Sequence, residues 1–362
     1  MRKTSKMTEA RDSRPRRSEG TRADQRPQLP WRLEDMRILS IDGGGIRGIL
    51  PASILALCEE RFCGGRSAGM FFDFIAGTST GGIIALGLSL GMTARDILQI
   101  YVDHGSEIFP ARPTSNSPLF QKLRNGLAFV RDLTNYRYDR TALSRCLSEV
   151  FADRQLGDAE RRLVIPSFDE YNEVHLFKTP HHPDYRRDWK ERMVDIALST
   201  SAAPTFFSTY RNGDRHFADG GVWANNPVMT ALVDALACYD VDRHTIQILS
   251  LGCIEEDFKF TQGQMLRGGL WHWRKIISSA MRLQSQNALG QAGLLIGRDQ
   301  LVRADGRAKS EEAIALDDYQ RSIDELPTMA ELYVDENSDQ LAKFFTRERP
   351  AYDAFYGARA AN

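Results

Sequence analysis

Ser79 stands in Gly77-Thr78-Ser79-Thr80-Gly81, a G-x-S-x-G pentapeptide. An apolar run, Phe71 to Ala76, precedes it, and a helical pattern carrying Ile84 and Leu88 follows. A serine at a sharp strand-to-helix turn presents its hydroxyl at a helix N-terminus, where the dipole favours developing negative charge; a nucleophile needs that placing. Gly77 and Gly81 remove the Cβ atoms that would hold neighbouring segments apart. Taken alone, the pentapeptide is equally well an ordinary Gly- and Ser-rich connection.

Asp42-Gly43-Gly44-Gly45-Ile46-Arg47-Gly48 lies between another apolar run and another helical pattern. Three successive glycines leave backbone N–H groups unshielded, a concavity suited to an anion or to the oxyanion of a tetrahedral acyl intermediate. Arg47 could add positive charge or fix the loop by pairing with a carboxylate. A dinucleotide loop is the competing reading. However, the glycines do not continue as G-x-G-x-x-G, there is no G-K-[ST] ending, and no acidic residue ends a second strand about twenty positions on. A third segment, His216 to Pro227, holds Asp219-Gly220-Gly221 after a short apolar stretch. By itself Asp-Gly-Gly is a good turn.

The elements that must position these groups follow from the change in hydrophobic period. Strands are expected at Arg37–Asp42, Phe71–Ala76, Arg162–Ile165, Val174–Phe177 and Thr245–Leu251. Helices are expected around Ala142–Phe151, Trp189–Leu198 and Val228–Cys238. Thr93 with Asp96 is a capping pattern for a helix reaching Ile108. Strands alternating with helices indicate a three-layer α/β/α fold around a central, largely parallel sheet. From Glu255 the strand signal fades, leaving a helical C-terminal cap over 255–362 beside a core over 36–254. Residues 1–35 read as a disordered basic arm, because the first thirty carry nine Lys/Arg against four Asp/Glu and few apolar side chains. That arm is either a solvated tail or a weak attraction to anionic lipid head groups.

The 362 residues are 42 % hydrophobic and 26 % charged, as expected of a globular chain, and a net charge of −1 gives no invitation to nucleic acid. Cys58, Cys63, Cys146, Cys238 and Cys253 are odd in number and scattered, which suits reduced thiols rather than a disulfide frame or zinc site. The first thirty residues lack the apolar core of a secretory signal. The most apolar stretch, Phe71 to Met92, is too interrupted to span a bilayer. A cytoplasmic protein is expected.

Together the three segments resemble the patatin-like phospholipase family, which has a D-G-G-G-x-R-G oxyanion loop, a G-x-S-x-G nucleophile turn and a later D-G-[GA] motif in that order. The stretch Ser201 to Phe207, Asn225-Asn226-Pro227 and Ile248 to Gly252 are similar to the family as well. The likeness covers roughly Arg37 to Cys253. One departure is Cys253-Ile254, where the family often has Thr-Gly. The resemblance implies a Ser79–Asp219 dyad without histidine, and an oxyanion hole from Gly43, Gly44, Gly45 and Arg47. It implies hydrolysis of membrane phospholipid acyl esters at the inner face of the membrane, with no metal or cofactor required. An unperturbed aspartate, with a pKa of about 3.9, is a poor base at neutral pH, so Asp219 must sit in a dry site that raises it.

Histidine is the challenge to a dyad. His181 and His182 fall in a polar turn, His104 and His272 on helical patterns, and His216 three positions before Asp219 on a strand, facing the other way. A Ser-His-Asp triad is the alternative. Leu270 to Met281, with Trp271 and Trp273, is either an amphipathic helix packed on the core or a surface for a bilayer or acyl channel. Length and motif layout are also similar to the bacterial patatin phospholipases that cyclic nucleotides activate in anti-phage defence. That makes a cyclic dinucleotide a candidate activator. A weakly active storage protein on the same scaffold is the remaining alternative, and self-association is left open.

Overall fold

Every residue of Met36–Ile41 is buried, as a strand covered on both faces requires. This strand, β1, lies in an eight-stranded sheet with β2 (Phe74–Gly77), β3 (Arg162–Asp169), β4 (Val174–Lys178), β5 (Tyr210–Asn212), β6 (Arg215–Asp219), β7 (Ile246–Leu251) and β8 (Leu301–Ala304). The computed structural model describes residues 28–110, 136–204, 206–257, 276–309 and 313–360. The strand order β8-β7-β1-β2-β3 is parallel throughout. Antiparallel pairing begins beyond it, where β3 meets β4 and β6, and β6 meets β5.

Alternation along the strands divides the core in two. Met36 and Ile38 of β1, Phe74 and Ala76 of β2, and Ile246 and Ile248 of β7 face one helical layer, α7 (Val228–Cys238) and α8 (Ile276–Ile296). Leu39, Ile41, Ile75, Leu249 and Leu251 face the other. There lie α1 (Ile49–Phe62), α2 (Thr80–Ser89), α3 (Ala94–Ile108), α4 (Thr141–Phe151), α5 (Met193–Thr200) and α9 (Tyr319–Glu336). A period of two on the strands against two apolar helix layers makes the three-layer α/β/α sandwich. The Thr93 cap forms as the sequence requires, with its Oγ1 accepting from the Asp96 amide at 3.1 Å.

Several boundaries differ from the sequence reading. Folded structure begins before Met36: Leu29–Pro30 pairs with Tyr239–Asp240, and Trp31 packs edge-on against Tyr239 at 5.3 Å. Residues 1–27 of the expected basic arm lie outside the described residues. The run from Phe71 is only partly a strand, since Ala68–Phe71 is a 3-10 turn and pairing starts at Phe74. The helix expected from Trp189 starts at Met193. The segment after 254 does more than cap. It supplies the edge strand β8, then α8 to one layer and α9 to the other. Four residues, Leu301-Val302-Arg303-Ala304, are too few to show a strand period. The tryptophan-bearing segment through Trp271 and Trp273 lies outside the described residues. Among those described, no helix is long and apolar enough to cross a membrane.

Candidate active site

The parallel strands end along one edge of the sheet, the usual place for a site in an open α/β fold. β1 runs into Asp42–Gly45 and β2 into Ser79. Ser79 has φ 55° and ψ −120°, a backbone that non-glycine residues avoid, and it is the N-cap of α2. Close approach explains the flanking glycines. A Cβ on Gly77 would meet Gly81 O at 2.0 Å, and one on Gly81 would meet Ile41 O at 2.3 Å.

Asp219 closes β6, just before the short helix α6 (Gly221–Ala224), and is buried, 5 % exposed. Its register partner on β3 is Ser167, and its backbone amide donates to Ala202 O at 3.0 Å. The carboxylate accepts from the Gly221 amide at 2.7 Å and has the Ser79 side chain beside it. Burial pushes the Asp219 pKa up to about 6, against the pull of those two neighbours. Serine and aspartate therefore lie side by side, and the aspartate holds a proton more tightly than a solvated carboxylate does.

Both groups line an apolar cavity of about 710 Å³, the size class of ligand sites. Its walls include Ile83, Phe109, Leu147, Phe207 and Leu316, and among the described residues its one lining cation is Arg137. Arg137 pairs with Asp317 at 2.7 Å and stacks over Phe206.

The glycine loop divides the labour among its amides. The Gly43 amide donates to Asn225 O at 3.1 Å, so it holds the loop and is not available as the expected oxyanion donor. No hydrogen bond among the described residues takes up the amides of Gly44 and Gly45, and both residues line the cavity. Arg47, expected in the oxyanion set, is not a lining residue. Its buried side chain turns away, with Nη1 donating to Ile314 O at 3.4 Å. Arg303 grips Asp42 at the start of the loop with bonds of 3.1 and 2.7 Å and also reaches Asp305 at 2.7 Å. Cys253 packs against Gly44, and Ile254 takes φ 71°, where the family's usual glycine would sit without strain.

No histidine lines the cavity among the described residues. His216 is exposed on β6. His181 and His182 are fully buried, His181 holding Asp234 at 2.8 Å. Burial lowers the His181 pKa, and the Lys178 ammonium also bonds Asp234, so this cluster is a satisfied structural network with nearby Cys238. His272 lies outside the described residues.

A strained serine turn, a buried aspartate on the neighbouring hairpin and a glycine loop on one three-layer sandwich define the patatin class. The chain belongs to the patatin-like phospholipase family, whose model matches residues 39–232. It is 35 % identical over 239 residues to a cGAMP-activated phospholipase of Escherichia coli, covering 62 % of this chain and 64 % of the relative. The chain thus spans just under two thirds of that relative's length. A cGAMP-activated phospholipase of Vibrio cholerae is 32 % identical over 274 residues, 70 % of this chain and 76 % of the relative. Patatin-like protein 2 of Oryza sativa is 30 % identical over 279 residues, 67 % of each chain.

Proposed function

We propose that this chain hydrolyses fatty-acyl esters of phospholipids, with Ser79 as nucleophile and Asp219 as its base. The observation that carries the reading is Ser79 and Asp219 side by side at an apolar cavity, with the aspartate pKa raised to about 6. Ser79 Oγ attacks the ester carbonyl carbon while Asp219 takes its proton. The Gly44 and Gly45 amides receive the oxyanion. The intermediate collapses with cleavage of the ester C–O bond, and Asp219 returns its proton to the departing lysolipid alcohol. Water, deprotonated by the same carboxylate, then frees the fatty acid and restores Ser79. These steps call on no metal.

The reading extends to control. Two of the relatives are cGAMP-activated phospholipases, and this supports a cyclic dinucleotide as activator of a cytoplasmic effector of anti-phage defence, acting at the inner face of the membrane. The rice relative, nearly as similar, carries no such name, so the nucleotide must be tested separately. Purified protein is assayed on fluorogenic phospholipid vesicles with and without a panel of cyclic dinucleotides, alongside Ser79→Ala and with calorimetry on that variant. Hydrolysis lost in folded Ser79→Ala is expected, with nucleotide-dependent rate and heat of binding. Turnover by Ser79→Ala would overturn the nucleophile. Full rate without nucleotide, and no heat, would leave a constitutive lipase. No turnover and no labelling of Ser79 by a fluorophosphonate would leave a storage protein.

A further inference from the structure

The stretch Thr200 to Phe207 carries no group that the proposed chemistry uses, yet its first residues touch both halves of the dyad. The Ser79 amide lies at the start of α2, where no intrahelical acceptor exists, and it is buried. It donates to Thr200 Oγ1 at 3.0 Å. The same hydroxyl donates to Pro166 O at 2.6 Å, so its single proton is committed and its lone pair faces Ser79. Thr200 is fully buried at the C-terminus of α5. Two residues on, Ala202 O accepts the Asp219 amide at 3.0 Å. Pro166 adjoins Ser167, the register partner of Asp219, and a Cβ on Gly220 would come within 2.4 Å of Pro166 O. One short segment therefore fixes the backbone at Ser79 and at Asp219, and ties both to β3.

We propose that Thr200 is a positioning residue: its hydroxyl holds the strained Ser79 turn at the distance and angle at which Asp219 can take the serine proton. The inference rests on the dyad reading above. It also gives the Ser79 amide a role. Turned back toward Thr200, that amide stabilises the turn and takes no part in the oxyanion hole. Catalytic groups must stay within about 0.5 Å of the productive geometry, and a left-handed serine relaxes away from it unless its surroundings over-determine it.

Thr200→Val keeps the shape and removes the hydroxyl, leaving a buried amide without an acceptor. Thr200→Ser keeps the hydroxyl and removes only the methyl that packs on Gly82. Three quantities are read: kcat and KM on phospholipid, the labelling rate of Ser79 by a small fluorophosphonate, and the melting temperature. For Thr200→Val the expected result is a fall of about 10- to 100-fold in kcat and in labelling, the scale set by an unpartnered buried amide, with KM unchanged. Thr200→Ser should return to within about threefold of wild type. A purely structural threonine would lower the melting point and leave labelling per folded molecule untouched. Wild-type labelling in Thr200→Val, or equal loss in Thr200→Ser, would overturn the proposal. Should Thr200→Val not fold, Thr200→Cys replaces it, since its thiol is a weak acceptor of similar size. Labelling of that variant as fast as Thr200→Ser would likewise overturn the proposal. If wild type neither hydrolyses lipid nor labels at Ser79, the dyad reading itself fails, an outcome distinct from undisturbed labelling in the variants.

Discussion

Asp219→Asn should destroy turnover and at the same time stabilise the protein. The amide keeps the shape of the carboxylate: its oxygen can still accept from the Gly221 amide, and its nitrogen can donate to Ser79. What disappears is a buried charge. The folded state holds the Asp219 pKa at about 6 against a reference of 3.8, a difference worth about 3 kcal/mol at neutral pH. Because the folded pKa is the higher one, the folded state binds the proton more tightly. Wild type therefore loses stability as pH rises from about 4 through about 6. The neutral variant does not. With a melting entropy of roughly 2.1 cal/mol/K per residue over 362 residues, the gain at pH 7.5 is about 4 °C in Tm. Calorimetric melts of both proteins at pH 7.5 and pH 4 check this, and the gap should close at the lower pH. In the same series, wild-type kcat should rise through about pH 6 and then level, as the base ionises. A variant that melts no higher than wild type at pH 7.5, or a gap that persists at pH 4, would refute the claim that a desolvated carboxylate is the base.

Arg303→Met removes the cation from Asp42, whose side chain is 4 % exposed, and should cost about 3 kcal/mol and lower kcat by loosening the glycine loop. Adding Asp42→Asn should recover stability without restoring kcat; denaturant melts and steady-state rates on both variants decide it. Gly81→Ala should yield no active folded protein, because its Cβ would lie 2.3 Å from Ile41 O, whereas Gly290→Ala, on the open face of α8, should raise stability by up to about 1 kcal/mol. All five cysteines are buried, with Cys63 pushed up to about 12 and Cys146 to about 11. An aromatic disulfide reagent at pH 8 should find no fast thiol before unfolding.

The parts of the site that lie close in sequence were legible. Gly77 to Gly81 shows the turn because a strand pattern, a serine between glycines and a helix pattern are consecutive there. Val228–Cys238 shows its helix because eleven residues suffice to display a period. What escaped depends on distant partners. A basic residue beside the glycine loop suggests Arg47 as an anchor, whereas nothing nearby in sequence points to Arg303, placed at Asp42 by parallel pairing of β8 with β7. Three glycine amides look alike in a sequence, and only the position of Asn225 O removes Gly43 from the candidates. Thr200 gave no signal, since a threonine at the end of a helix is ordinary until the Ser79 amide is seen to need it. Trp31 reads as part of a tail because its aromatic partner, Tyr239, lies on a distant element.

The grip of Arg303 on Asp42 also sets a timetable. The two residues are 261 positions apart, so at about 5–20 residues per second a ribosome delivers the arginine roughly 15–50 s after the aspartate. Within that interval Gly45, then Ser79 and later Asp219 are made, but the loop that must receive the oxyanion lacks the grip of Arg303 on Asp42. On the function proposed above, a half-made chain is thus a poor lipase by construction. The late arrival of one edge strand delays full assembly of the site until most of the protein has been made.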